Sequence, residues 1–177
     1  MDNLTTGTKQ AFFQFLNGEL SIIDFEQWIY KSSVLLEQEL SPDFHFELIS
    51  FDYNQKDSHF LLAQKLKVQI DANEYNIWRT KKLLVQILDD KIDLVLASRK
   101  LRELYYDTGE KFIPLTLGIG YESVFDHLPI PDEYDFWDRE SLKETLKTVT
   151  AYKDDFIRDA KLFLEKLEGM SGNSIPD

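Results

Sequence analysis

Apolar side chains recur at intervals of three and four residues along most of this chain, and no other feature constrains its fold as much. This spacing places apolar side chains on one side of an α-helix, and that side must then be buried against other elements. The longest such repeat runs from Leu142 to Leu167, over about 39 Å of helix at roughly 1.5 Å per residue. It predicts a long helix from about Arg139 to Glu168.

Residues that favour helix starts divide the rest of the chain into further helices. Ser21, Ser41 and Asp71 each precede an apolar repeat. Their side-chain oxygens can accept a hydrogen bond from the first turn of a helix. The helix that begins at Ser21 is predicted to continue to Leu40, since its apolar spacing runs unbroken to that residue.

One stretch departs from the helical pattern. Residues 112–122 are apolar and contain glycines at intervals of two, which predicts a short extended segment. No repeat and no long linker interrupts the chain. We therefore predict an all-α protein with a single domain of six to eight helices over residues 1–170 and a flexible tail at residues 171–177.

The composition excludes several classes of protein. The 177 residues include 20 Lys and Arg against 32 Asp and Glu, and a net charge of −12 disfavours binding to nucleic-acid phosphates. Cysteine is absent, which excludes disulfides, a thiol nucleophile and Cys-ligated metals. No apolar run approaches the roughly 20 residues that span a bilayer, and the first residues do not resemble a secretory signal. We expect a cytoplasmic bacterial protein with no membrane partner.

The negative charge is concentrated in residues 121–138, which we call the acidic segment. This segment holds six carboxylates and neither Lys nor Arg, so it supplies half of the net charge of −12. Aromatic residues alternate with the acids. The candidate partner-binding residues are Glu122, Asp126, Asp132, Glu133, Tyr134, Asp135, Trp137 and Asp138.

Two explanations fit the acidic segment. Its carboxylates can attract a basic protein and pair with Lys or Arg, while Tyr and Trp fill pockets of the partner. Alternatively, the acids gather before the last helix because the positive end of the helix dipole favours negative charge. The aromatic side chains then belong to the core. The first explanation predicts a basic protein partner, and the second predicts a solvated loop.

Metal-dependent chemistry has a weaker basis in the sequence. The acid pairs Asp90/Asp93 and Glu165/Glu168 have the helical spacing that an all-α metal-dependent nucleotide hydrolase needs. The carboxylates of the acidic segment do not fit an EF-hand loop, because Trp137 occupies the position that requires glycine. The hydrolase stays an alternative function, and we predict no metal site.

Other catalytic motifs are incomplete. Gly118 and Gly120 resemble the start of a dinucleotide-binding fingerprint, but Ser123 replaces its third glycine and no parallel βαβ unit is visible. The three histidines are isolated from one another in the sequence. We therefore predict no catalytic residue and no cofactor. A further alternative is a scaffold that forms homo-oligomers through the Leu142–Leu167 side of the C-terminal helix.

Two stretches carry a resemblance to a known class of proteins: GELSIIDFEQWIY at residues 18–30 and DDKIDLVLASRKL at residues 89–101. They resemble small acidic immunity proteins, which bacteria encode beside secreted polymorphic toxins and which neutralise the toxin by binding it. The resemblance implies a non-enzymatic binding protein whose partner is a toxin, often a basic nuclease domain. That class is diverse in fold, so the resemblance transfers no residue roles.

Overall fold

The computed structural model describes residues 4–170, in which every regular element is a helix and none is a strand. The predicted all-α class is confirmed. None of the helices in this part of the chain has the length and apolar character needed to cross a bilayer. The chain groups into two compact units, Met1–Tyr75 and Asn76–Asp177. This grouping does not test the predicted single domain, and the tail predicted at residues 171–177 lies outside the described residues.

The first unit is built from short helices around an aromatic core. Its helices are α1 (Thr6–Leu16), α2 (Ile22–Lys31), α3 (Ser33–Glu39), α4 (Pro42–Ile49) and α5 (Ser58–Lys67), and α6 (Ala72–Leu88) begins in it. Phe15 and Phe25 are fully buried, with ring centroids 4.3 Å apart. The predicted caps are confirmed, since Ser21 Oγ accepts the Asp24 N–H at 3.1 Å and Ser41 Oγ accepts the Phe44 N–H at 3.2 Å.

The helix predicted from Ser21 to Leu40 is wrong, because the chain breaks there into α2 and α3. Ser32 ends α2 with φ −97° and ψ 6°, and its N–H donates to the Trp28 carbonyl. Ser32, Ser33 and Val34 follow one another at the break. Serine hydroxyls compete for backbone hydrogen bonds and a β-branched side chain loses rotamer freedom, so all three weaken a helix interior.

The second unit is built around α7 and the long C-terminal helix. Its elements are α7 (Leu94–Asp107), a π-helical turn (Thr116–Gly120), α8 (Tyr121–Phe125), a 3-10 helix (Pro131–Phe136), α9 (Arg139–Thr145) and α10 (Lys147–Met170). Residues 4–170 therefore contain ten α-helices, more than predicted, because two predicted helices are broken and a predicted extended segment is helical. Phe156 of α10 is fully buried and stacks on Tyr121 at 4.5 Å.

The extended segment predicted at residues 112–122 is also wrong. The Tyr121 N–H donates to the Thr116 carbonyl, five residues back, which forms the π-helical turn that continues into α8. Ile113, Leu117, Tyr121 and Phe125 are spaced four apart and are all buried in the core of the second unit. Burial of this helical stripe outweighs the preference of β-branched residues for extended backbone and the low helix propensity of glycine.

Gly118 allows the π-helical turn to approach α7 closely. A Cβ atom at this position would lie 2.4 Å from Cδ2 and 2.8 Å from Cβ of the buried Tyr105. We expect Gly118→Ala to lower the free energy of unfolding by about 1–3 kcal/mol, since overpacking of this kind forces backbone shifts. Urea denaturation measures the loss. Gly120→Ala, whose nearest contact would be 3.6 Å away, serves as the control; equal losses in both variants would contradict this explanation.

The long C-terminal helix is confirmed as α10, with 24 residues, but its predicted start at Arg139 belongs to the separate helix α9. The break is at Leu146, which has φ −70° and ψ −9°. Thr145, Thr148 and Val149 flank it, and such β-branched residues lower helix propensity.

Candidate functional site

The structure divides the acidic segment into a buried part and an exposed part. In the buried part, the Tyr121 hydroxyl donates to Asp159 Oδ2 at 2.8 Å, and burial raises the pKa of this tyrosine above its usual range. Glu122 is also buried, and its Oε1 atom pairs with Arg102 Nη1 at 2.5 Å. The Glu122 carboxylate is therefore occupied within its own unit. Asp126 is exposed, and its Oδ1 atom lies 3.3 Å from Nδ1 of His127.

The exposed part comprises residues 131–138, which we call the acidic–aromatic surface. Phe136 is 86% exposed and Trp137 is 38% exposed. Asp132 and Asp135 are exposed, and neither side-chain carboxylate forms a hydrogen bond or an ion pair with any described residue. Phe136, Asp132 and Asp135 contribute little to the packing of the second unit, whereas more than half of the Trp137 side chain is covered. All four residues lie within six consecutive positions.

Three contacts fix the backbone of the acidic–aromatic surface. Glu133 Oε2 accepts the Ile130 N–H at 3.0 Å, where the 3-10 helix begins. The Tyr134 hydroxyl donates to Asp93 Oδ2 at 3.2 Å. Asp138 Oδ1 accepts the N–H groups of Glu140 and Ser141, which caps α9.

Each explanation of the acidic segment therefore applies to different residues. Asp138 stabilises the first turn of α9. The pKa of its carboxyl lies below the usual range, mainly because the carboxylate accepts hydrogen bonds from Ser141. Tyr121 and Phe125 belong to the core. Asp132, Asp135 and Trp137 stay available to a partner. Glu133 is exposed as well and keeps its second oxygen, Oε1, outside the hydrogen bond to Ile130.

Phe136 is an exposed residue of this surface that is not among the candidate residues predicted from the sequence. It lies in a 3-10 helix of six residues in which no side chain is fully buried. Its neighbours Asp135 and Trp137 are exposed too. The signal in the sequence is the absence of apolar partners three or four residues before Phe136, where Asp132 and Glu133 stand.

Tyr134 provides a test of this anchoring through pH. Burial, and then the nearby Asp93 carboxylate, raise the pKa of the Tyr134 phenol to about 12 from 10.0. Because the pKa of this phenol is higher in the folded state, Tyr134 stabilises the fold fully below pH 10. This stabilisation is lost as the pH rises towards 12. At neutral pH we expect Tyr134→Phe to cost about 0.5–1.5 kcal/mol of unfolding free energy.

The difference in unfolding free energy between wild type and Tyr134→Phe should shrink as the pH rises through this range. The exposed Tyr106→Phe serves as the control for a tyrosine on the same unit. A difference that stays constant across this pH range would contradict the hydrogen bond to Asp93.

The acid pair Asp90/Asp93 takes structural roles. Asp93 Oδ1 caps α7 by accepting the N–H groups of Val95 and Leu96 at 2.9 and 3.1 Å, and Asp90 Oδ1 pairs with Lys153 Nζ at 3.1 Å. Within residues 4–170, no three His, Asp or Glu side chains form a group that could hold a metal ion.

A serine and a histidine meet in the first unit, where Ser33 Oγ lies 3.2 Å from Nε2 of His45. A catalytic triad needs a carboxylate on the other ring nitrogen to orient the histidine. None of the carboxylates in the described part of the chain hydrogen-bonds to Nδ1 of His45. The pair therefore lacks the orienting group, and the acidic–aromatic surface is the stronger candidate site.

No family model, curated protein or solved structure matches this chain. The functional assignment accordingly depends on the geometry and charge of the acidic–aromatic surface.

Proposed function

We propose that this protein is a non-enzymatic binding protein that neutralises a basic protein partner by covering the partner's surface. The proposed partner is a toxin domain, as the likeness to bacterial immunity proteins implies, and the proposed place of binding is the cytoplasm. The observation that carries the proposal is the exposure of Phe136, at 86%, beside the exposed carboxylates of Asp132 and Asp135 on an anchored backbone.

The side chains of the acidic–aromatic surface suit the centre of a protein interface. Aromatic residues in desolvated pockets supply most of the binding energy of typical interfaces. Phe136 and Trp137 would occupy such pockets. Asp132 and Asp135, whose carboxylates pair with no side chain within residues 4–170, would pair with Lys or Arg around them. Complementary charge also speeds the encounter and selects a basic partner over others.

Neutralisation would follow from occlusion. A nuclease toxin holds the nucleic-acid backbone through cationic groups, because phosphate contacts dominate its affinity. Carboxylates that pair with those cations remove them from the substrate. No catalytic step by this protein is needed, so the proposal requires only affinity and the correct charge.

Charge reversal on the acidic–aromatic surface tests the proposal. The protein would be co-expressed with the product of the adjacent reading frame, and the complex isolated by size exclusion. We expect the triple variant Asp132→Lys, Glu133→Lys and Asp135→Lys to weaken binding at least about tenfold and to flatten its dependence on salt.

The matched control is the triple variant Glu37→Lys, Asp154→Lys and Glu168→Lys, which makes the same change in net charge at exposed acids elsewhere. It should bind within a few-fold of the wild type. Equal loss in both triple variants would indicate a general charge effect, and unchanged binding by the first would remove the acidic–aromatic surface from the interface.

A further inference from the structure

The second unit carries an open groove immediately after the acidic–aromatic surface. The groove has a volume of about 510 Å³ and is lined by Arg139, Leu142, Lys143, Leu146, Lys147 and Thr150. We call it the α9 groove. Leu142 and Leu146 provide its apolar surface. Arg139 and Lys143 are spaced four residues apart on one side of α9. Lys147 lines the groove from the start of α10, beyond the break at Leu146.

The α9 groove is the part of the C-terminal apolar repeat that the core of the second unit does not use. Further along α10, Phe156, Ala160 and Phe163 are buried against α7 and α8. Leu142 and Leu146 are only half-buried and do not belong to this core. Lys147 Nζ already pairs with Glu144 Oε2, so the cations of the rim outside this pair are Arg139 and Lys143. An apolar groove with these two cations on its rim fits an occupant that is aromatic and acidic.

The acidic–aromatic surface has these two properties. We propose that a second copy of this chain covers the α9 groove: Phe136 and Trp137 of one copy lie on Leu142 and Leu146 of the other. Asp132 and Asp135 of one copy then face Arg139 and Lys143 of its partner, and the second contact is the same with the copies exchanged.

A two-fold axis makes both contacts at once. The acidic–aromatic surface and the α9 groove follow one another within residues 131–150, so both halves of the proposed interface come from one short, self-complementary stretch of the chain. Such self-complementary patches generate closed dimers. This inference goes beyond the proposed function and does not depend on it, but both use Phe136. Self-association and binding of a basic partner therefore exclude each other.

A mixing experiment with two complementary variants tests the dimer. One variant of the full chain carries Asp132→Lys and Asp135→Lys, and the other carries Arg139→Glu and Lys143→Glu. Each alone places like charges opposite each other in both contacts, so each should sediment as a monomer. In the mixture, one contact is natural and the other has its charges exchanged, so a one-to-one dimer should form.

Sedimentation equilibrium provides the readout, and unfolding curves of both variants confirm that they are folded. The wild type should change from monomer to dimer as its concentration rises, with a dissociation constant that increases at high salt. A wild type that stays monomeric throughout, or a mixture that dimerises no better than its components, would overturn the inference.

The same variants separate this inference from the proposed function. The Arg139→Glu, Lys143→Glu variant should lose self-association and bind the basic partner at least as tightly as the wild type. Failure of the wild type to bind a basic partner, with the mixed dimer present, would overturn only the proposed function. A partner complex without any homodimer would overturn only the dimer.

Discussion

Replacing Phe156 by alanine is expected to lower the free energy of unfolding by about 3–5 kcal/mol, the largest effect of any single change considered for stability. The ring of Phe156 is fully buried, stacks on Tyr121 at 4.5 Å and lies 6.3 Å from the ring of Phe125. Alanine would leave a cavity between α10 and α8 and would remove these ring contacts.

Leu162→Ala is the control for Phe156→Ala, because Leu162 lies on the same helix and is 58% exposed. It should change the free energy of unfolding by only about 0.5 kcal/mol. Urea denaturation of both variants gives the comparison. A loss below about 1 kcal/mol for Phe156→Ala would mean that α10 does not pack on α8 through this residue.

Replacing Phe136 by alanine is expected to weaken binding of the basic partner by about 30- to 700-fold, as the loss of a central aromatic anchor does. The unfolding free energy should stay within about 0.5 kcal/mol of the wild type, because this side chain is 86% exposed. Loss of affinity without loss of stability identifies a residue that the fold does not use.

Phe46→Ala is the matched control for Phe136→Ala, since it removes the same side chain from an exposed position, 70% accessible, on the first unit. It should leave the partner affinity unchanged. Titration calorimetry with both variants, at concentrations where the protein is monomeric, measures the difference. Similar affinities for Phe136→Ala and the wild type would place the binding surface elsewhere.

The helix caps show what could be predicted from the sequence. The caps are Ser21, Ser41 and Asp71. Each side-chain oxygen accepts a hydrogen bond from the N–H group three residues ahead, so a local sequence pattern is sufficient to find them. The break at Ser32 also falls on residues that weaken a helix locally, whereas the π-helical turn at Gly118 depends on what this segment contacts in its unit. Gly118 could not be explained without knowing that Tyr105 lies against it.

The candidate site shows the same division. The charge of the acidic segment is visible in the sequence, but the burial of Glu122 beside Arg102 joins residues 20 positions apart. The exposure of Phe136 could not be predicted from the sequence, because phenylalanine is more often part of a core than of a surface. The short 3-10 helix contacts the rest of the unit through Tyr134 and has no buried residue, which leaves Phe136 exposed.

The anchoring of the acidic–aromatic surface at Ile130, Tyr134 and Asp138 has a consequence for kinetics. A backbone already ordered before encounter avoids the conformational-entropy cost of fixing it on binding, roughly 1–2 kcal/mol for each residue. Rigid surfaces of this kind bind without a folding step, so their association rates depend on diffusion, orientation and charge. Loosening the anchor by Tyr134→Phe should therefore slow association, whereas Phe136→Ala should accelerate dissociation.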